Sequence, residues 1–207
     1  GTLGAVIRME STVSSRKTLF DTGVAGPFTS LLLSIPAIMI GLRFSEVIPT
    51  SQLKEGTIRL GDPLLFSLIQ RLVMGGISEN FDILLHPIGY AGWVGLFITA
   101  LNLLPVGQLD GGHIAYALFG RRSRIIFFVA IVVMAFITVF YNPGWLLLLI
   151  LFILFGFRHP APLDDQTPLD GKRKLMGGMA FLFFFLSFTP SPFPQFAEEM
   201  KRLLHWF

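Results

Sequence analysis

The run Trp145-Leu146-Leu147-Leu148-Leu149-Ile150-Leu151-Phe152-Ile153-Leu154-Phe155 carries no charged or hydroxylated side chain. A soluble fold seldom buries every side of such a segment, whereas lipid accepts all of it. Composition extends the argument to the whole chain of 207 residues, which is 53% hydrophobic and 14% charged with a mean hydropathy of +0.68. Soluble domains carry about 25% charged residues, so the bilayer is the expected solvent for most of this protein. The 22 Phe and 7 Met residues suit lipid contact and adaptable helix packing. The net charge of +3 and pI near 9.5 are read as basic helix ends facing anionic lipid, and no nucleic-acid partner is expected. Cysteine is absent, which excludes disulfides and thiolate ligands.

Five apolar stretches are expected to be membrane segments: about 22–42 (interrupted by Pro27 and Pro36), 88–119, 125–141, 144–157 and 175–189. The last two are short against the ~20 residues that span hydrocarbon, so they are short crossings or arms of an embedded hairpin. Asn142-Pro143-Gly144 signals the turn between the third and fourth. Residues 1–21 read as a short strand or extended loop. Residues 43–84 read as a mixed-charge loop whose amphipathic piece, Asp62 to Met74, lies on the membrane surface. Residues 158–174 read as a hydrated linker, with Asp164, Asp165 and Asp170 as solvated charges. The expected fold class is an all-α polytopic membrane protein with about five membrane segments and a short N-terminal strand or extended loop. Residues 1–190 form the membrane domain, and residues 191–207 are a tail ending in an amphipathic helix.

If all five stretches cross, ten basic residues fall on one side, among them Arg16, Lys17, Arg121, Arg122 and Arg124, and six on the other. The positive-inside bias then places the N-terminus and the 121–124 turn in the cytoplasm.

Asp110 interrupts the second stretch. Continued as a helix at ~1.5 Å per residue, that stretch puts Asp110 roughly 16 Å from its Arg121 end. A carboxylate at such depth pairs, faces water or binds a cation. Asn102 lies eight residues earlier, close to two helical turns, and Pro105 and Gly107 between them break or kink the helix. Three readings remain open on these grounds. Asp110 is a metal ligand, a proton or ion site of a transporter, or a structural group that caps a re-entrant helix or pairs with a distant base.

The run Asn102-x-x-Pro105-x-x-x-Leu109-Asp110-Gly111 resembles the second signature of the site-2 protease family of intramembrane zinc metalloproteases. Gly1-Thr2-Leu3-Gly4-Ala5, Ala25-Gly26-Pro27, Gly92-Trp93-Val94-Gly95-Leu96 and His159-Pro160-x-Pro162-Leu163-Asp164-Asp165 extend the likeness along most of the chain, toward the bacterial and plastid branch. The resemblance implies a zinc metalloendopeptidase that cuts substrates in or near their transmembrane helices, as in regulated intramembrane proteolysis. Its cofactor would be zinc, with Asp110 as one ligand. It assigns substrate positioning or transition-state stabilisation to Asn102. Gly4, Ala5, Val6 and Ile7 would form the strand edge that holds an unwound substrate, while Pro105, Leu109 and Gly111 support the motif. Implied partners are membrane lipid and a transmembrane protein substrate, in a bacterial inner membrane or a plastid membrane.

The family's His-Glu-x-x-His motif, which supplies two zinc ligands and the general base, does not occur in this sequence. The four histidines, His86, His113, His159 and His205, are too scattered for an i, i+4 pair. His113 lies three residues beyond Asp110 and can share its face, so a His-Asp site is conceivable, but a histidine that supports the site from behind or lies in a loop is the stronger expectation. The simplest expectation is that the sequence begins after the missing helix. An inactive pseudoprotease, or a transporter using Asp110, is the alternative.

Overall fold

The computed structural model describes residues 13–53, 56–78, 80–156 and 162–204. Its spine is α1 (Arg16–Arg43), which begins where the Ser15 side chain accepts a hydrogen bond from the Thr18 amide. Such a cap satisfies one of the donors that every helix start leaves open. The helix carries Pro27 and Pro36 in its interior. Its start at Arg16 corrects the extended reading of residues 16–21, whose pattern of β-branched and polar residues is overridden by packing of Leu19 and Phe20 in the core.

At the far end of α1, the Ser45 hydroxyl donates to the Gly41 carbonyl and accepts from the His86 amide. This ties the end of α1 to the start of α3 (Pro87–Asn102), which His86 caps and Pro87 opens. Between them the chain makes an excursion. Strand β1 (Glu46–Pro49) pairs antiparallel with β2 (Phe81–Leu84), Glu46 facing Leu84 and Pro49 facing Phe81. Helix α2 (Leu64–Met74) lies inside that excursion. The expected surface piece from Asp62 to Met74 is thus a helix, burying Phe66 and Ile69 while leaving Leu64, Leu68 and Leu72 exposed. The all-α expectation needs correction here. Two strands of four residues each are too short to register as alternation within a loop of mixed charge.

The stretch expected to run from residue 88 to 119 is two helices, α3 and α4 (Asp110–Phe119), separated by an irregular segment. Gly120, at φ +58°, then turns the chain through Arg121 and Arg122 into α5 (Ser123–Phe140). Alpha helix α5 returns along α4, so Phe127 reaches the level of Val106 and Gly156. Asn142 accepts from the Gly144 amide and forms the expected turn into α6 (Leu146–Phe155). Helices α7 (Gly171–Ser187) and α8 (Pro194–Leu204) complete the described chain.

Among the described residues, two helical stretches are long and apolar enough to cross a membrane, Arg16–Arg43 and Asp110–Phe140. The second folds back at Gly120, so α5 supplies its longest straight part. Large apolar side chains face outward on both hairpin arms, such as Val132 at 68% and Leu147 at 70% exposure. Water does not tolerate that much contiguous apolar surface, and lipid does.

Close approach holds the spine to its partner. A Cβ at Gly41 would overlap the Gly89 backbone, and one at Gly92 would lie 2.8 Å from the Ile38 nitrogen. Beyond the glycines, Thr99 Oγ1 lies 2.6 Å from Ser30 Oγ and 2.7 Å from the Gly95 carbonyl. Helices in lipid associate through such small-residue contacts and interhelical hydrogen bonds. Trp93 is fully buried and donates its indole N–H to the Gly61 carbonyl, and Trp145 donates to the Pro190 carbonyl.

The expected hydrated linker is a set of fastenings. Arg16 Nε donates to Asp165 Oδ1 at 2.8 Å, and the Tyr116 hydroxyl lies 3.3 Å from Asp165 Oδ2. Arg173 engages Asp21 with two nitrogens at 2.7 and 2.8 Å and also pairs with Asp170, which caps α7. Asp164 accepts from the Gln166 and Thr167 amides, and Ser15 forms a parallel bridge to Asp164.

Gly41→Ala is expected to lower the unfolding free energy by about 1–3 kcal/mol through overpacking. Gly178→Ala, in α7 where an added Cβ meets nothing within 4 Å, is expected to raise it by about 1 kcal/mol. Thermal unfolding in detergent reads both signs. A second expectation concerns pH. Hydrogen bonds from Thr167 hold the Asp164 carboxyl below the usual carboxylate range, and those from Arg173 do the same for Asp170. Depressed values mean that the stabilisation is complete above the ordinary carboxylate pKa and is lost as pH falls through the folded-state values. Hydrogen-exchange protection of the Thr167 and Arg173 amides should therefore stay constant at neutral pH and decline only in strong acid.

Candidate metal and catalytic site

Asn102 is the last residue of α3 and Asp110 the first of α4, on either side of the segment Leu103–Leu109. That segment is held open by its own sequence. Leu103 donates back to the Thr99 carbonyl, Leu104 to Leu101, and Val106 to Leu104, after which Pro105 and Gly107 stop any continuation. Gly107 takes φ +53°, where a side chain would be strained. The apolar members of the motif act as anchors. Leu103 is buried with Leu19, Phe20 and Ile114, whereas Leu104 and Val106 are buried with Phe127, Trp145 and Phe152. The break is therefore pinned into two separate cores.

Gly111 and Gly112 allow α4 to start directly beneath the break. A Cβ at Gly111 would collide with the Leu103 carbonyl oxygen, and one at Gly112 with that of Gly107. Leu109 precedes α4 without a capping side chain, so Asp110 does not serve as a cap but sits in the first turn. A carboxylate there is favoured by the helix dipole.

The Asp110 side chain is half-buried and points toward α1, where a Cβ on Gly26 would lie 3.3 Å from Oδ2. Gly23, one turn earlier, faces the Asp110 carbonyl and the His113 Cβ. Along α1, Thr22, Ala25, Gly26 and Thr29 are exposed, and of these Gly26 lies beside the carboxylate. Among the described residues nothing donates a hydrogen bond to the Asp110 carboxylate and no base pairs with it. The structural reading as a cap therefore fails, and the distant ion pair finds no partner among the described residues. Asn102 is likewise half-buried without a side-chain hydrogen bond among these residues.

The donor set is sparse. Among the described residues no group of three or more His, Asp or Glu side chains could hold an ion. Asp110 fits as a single ligand, anchored and unengaged, but a four-coordinate zinc ion needs more than it supplies. His86 caps α3 and lies outside the site, while His113 shares the α1-facing side of α4 with Asp110. Gly4, Ala5, Val6 and Ile7, and also His159 and His205, lie outside the described residues. The motif residues Pro105, Leu109 and Gly111 all serve the break. The pattern of sequence did not disclose the α1 glycines Gly23 and Gly26 as the wall facing Asp110, because only the fold brings them together.

If the carboxylate is unengaged and Gly111 structural, two substitutions in neighbouring positions part company. Asp110→Asn should leave the unfolding midpoint of the chain nearly unchanged, within about 0.5 kcal/mol. Gly111→Ala should cost several times more, about 1–3 kcal/mol, by pushing α4 off the break. Equal destabilisation would mean that Asp110 has a structural partner.

Comparison with known proteins gives the site its context. Residues 2–142 match the family model described as Peptidase family M50. The "Probable zinc metalloprotease EGY1, chloroplastic" of Arabidopsis thaliana is 32% identical over 97% of this chain and 37% of its own length. The "Probable zinc metalloprotease EGY2, chloroplastic" of Oryza sativa subsp. indica is 29% identical over 94% of this chain and 36% of its own length. The "DDT domain-containing protein PTM" of Arabidopsis thaliana is 34% identical over 69% of this chain and 9% of its own length. The chain thus spans little more than a third of the curated zinc metalloproteases it matches. No solved structure matches it. With the matched region covering α1 through α5 and the break that carries Asn102 and Asp110, this chain belongs to peptidase family M50.

Proposed function

We propose that this chain is part of an intramembrane zinc metalloprotease of the site-2 type, hydrolysing peptide bonds in or near transmembrane helices of substrate proteins. The observation that carries the reading is the Asp110 carboxylate, fixed at the first turn of α4 and without a partner among the described residues. A lone carboxylate within an apolar protein is costly unless a cation or an acid answers it. Zinc, when bound, would polarise the scissile carbonyl and activate water. Asp110 would be one of its ligands, beside others that the described residues do not supply.

The residues present have further roles in that reading. The small side chains Thr22, Ala25, Gly26 and Thr29 leave room on α1 for a ligand-bearing element to approach Asp110. Asn102, across the break, would present its amide to the substrate or to the oxyanion that forms during attack. Gly4 to Ile7 would pair as a strand edge with a locally unwound substrate. The apolar stretches would make up to five crossings, α4 and the break forming an interrupted one, with the Arg121 turn on the cytoplasmic or stromal side. The names of the curated relatives favour a plastid membrane over a bacterial inner membrane.

The test compares the full-length protein that carries this segment with its variants, reconstituted in liposomes with zinc and a transmembrane peptide substrate. Asp110→Asn should abolish cleavage and lower the bound zinc. Asn102→Ala should lower kcat by about 10²–10³ with little change in KM, as expected for loss of one oxyanion donor. The 207-residue chain alone should hold no stoichiometric zinc. Cleavage that survives Asp110→Asn unchanged would overturn the protease reading.

A further inference from the structure

The face of α4 turned away from Asp110 borders a cavity of about 330 Å³. Its walls are the break and Gly112 at one end, and Tyr116, Arg121, Ser123 and Arg124 at the other, with Phe127 and Phe128 alongside. Gly156, just past the end of α6, lies against Gly107 and forms part of the wall. Neither Arg121 nor Arg124 forms an ion pair among the described residues, where the three pairs use Arg16 and Arg173. No acidic side chain occurs among the described residues that line the space.

From this geometry we propose that the cavity holds the phosphate headgroup of one anionic membrane lipid. Two guanidinium groups suit a phosphate in charge and in hydrogen-bond geometry. Basic pockets between helices at the membrane edge are where anionic headgroups bind. The volume lies at the low end of ligand sites, about 300–1,000 Å³, enough for a headgroup but not for two acyl chains. The chains have a place outside, along the exposed apolar face of α5 at Phe128 and Val132. A lipid seated there would wedge α4 against α5 and brace the turn at Gly120, on the opposite face of α4 from the proposed ligand Asp110.

The test uses the full chain in nanodiscs of phosphatidylcholine with a minor fraction of phosphatidylglycerol, followed by native mass spectrometry to count retained phosphatidylglycerol. The double variant R121Q/R124Q should lose about thirty-fold in retention, near fivefold per charge. Arg122→Gln removes the same charge from the same turn but does not line the cavity, and should change retention by about twofold or less. R121K/R124K should keep part of the effect, and all variants should share one unfolding midpoint in the neutral lipid. A loss near fivefold in Arg122→Gln, equal to the loss per charge in the double variant, would overturn the site in favour of diffuse surface charge. Inorganic phosphate binding in pure phosphatidylcholine as tightly as phosphatidylglycerol does would overturn the lipid in favour of a soluble anion. No outcome depends on proteolysis.

Discussion

Backbone-to-backbone approach along α1 is the constraint on which the rest of the molecule depends. The lipid tails around these helices are as apolar as their side chains, so burial alone gives little reason to associate. What remains is contact and polar bonding, and α1 supplies both along its length. Gly41, Ser34 and Ser30 face α3, and Gly26 and Gly23 face α4. The two shorter helices run end to end along this one long helix, which splints the gap between them. A polar, unwound segment at membrane depth is tolerated only where protein surrounds it, and here α1, α5 and α6 do so.

The division of labour within the motif follows. Its leucines and valine go into two cores and its glycines into close crossings, so these residues have their physical reasons within the fold. Asn102 and Asp110 do not. Each is half-buried and has no partner among the described residues, while their neighbours are fully engaged. A rigid break places both of them, and membership of peptidase family M50 says which chemistry to test.

Much of this was legible in the sequence because lipid imposes long apolar helices. The expected stretch 22–42 lies within α1, 125–141 matches α5, 144–157 matches α6 and its leading turn, and 175–189 overlaps α7. Pro105 and Gly107 marked the break through known backbone restrictions, although the stretch containing them was read as one element. Illegible parts share one cause, which is that their determinants are distant in sequence. Asp165 and Asp170 read as solvated charges because nothing near them announces Arg16 or Arg173-to-Asp21 pairing. The strands β1 and β2 gain meaning only from each other, more than thirty positions apart. The basic cavity is lined from the break, α4, the Arg121 turn and α5 together, a three-dimensional fact that no local pattern encodes.

The fastenings at the start of α1 carry a consequence for biosynthesis. Arg16 waits for a partner 149 positions downstream, and Asp21 for one 152 positions downstream. A ribosome delivers α1 long before either partner, so the spine must insert and pair with α3 while its own first turns are still unlatched. Closing such long loops is slow relative to local helix formation. The final tightening of α1 therefore reports that α7 has arrived, which makes the two arginine–aspartate latches a late checkpoint in the assembly of this membrane domain.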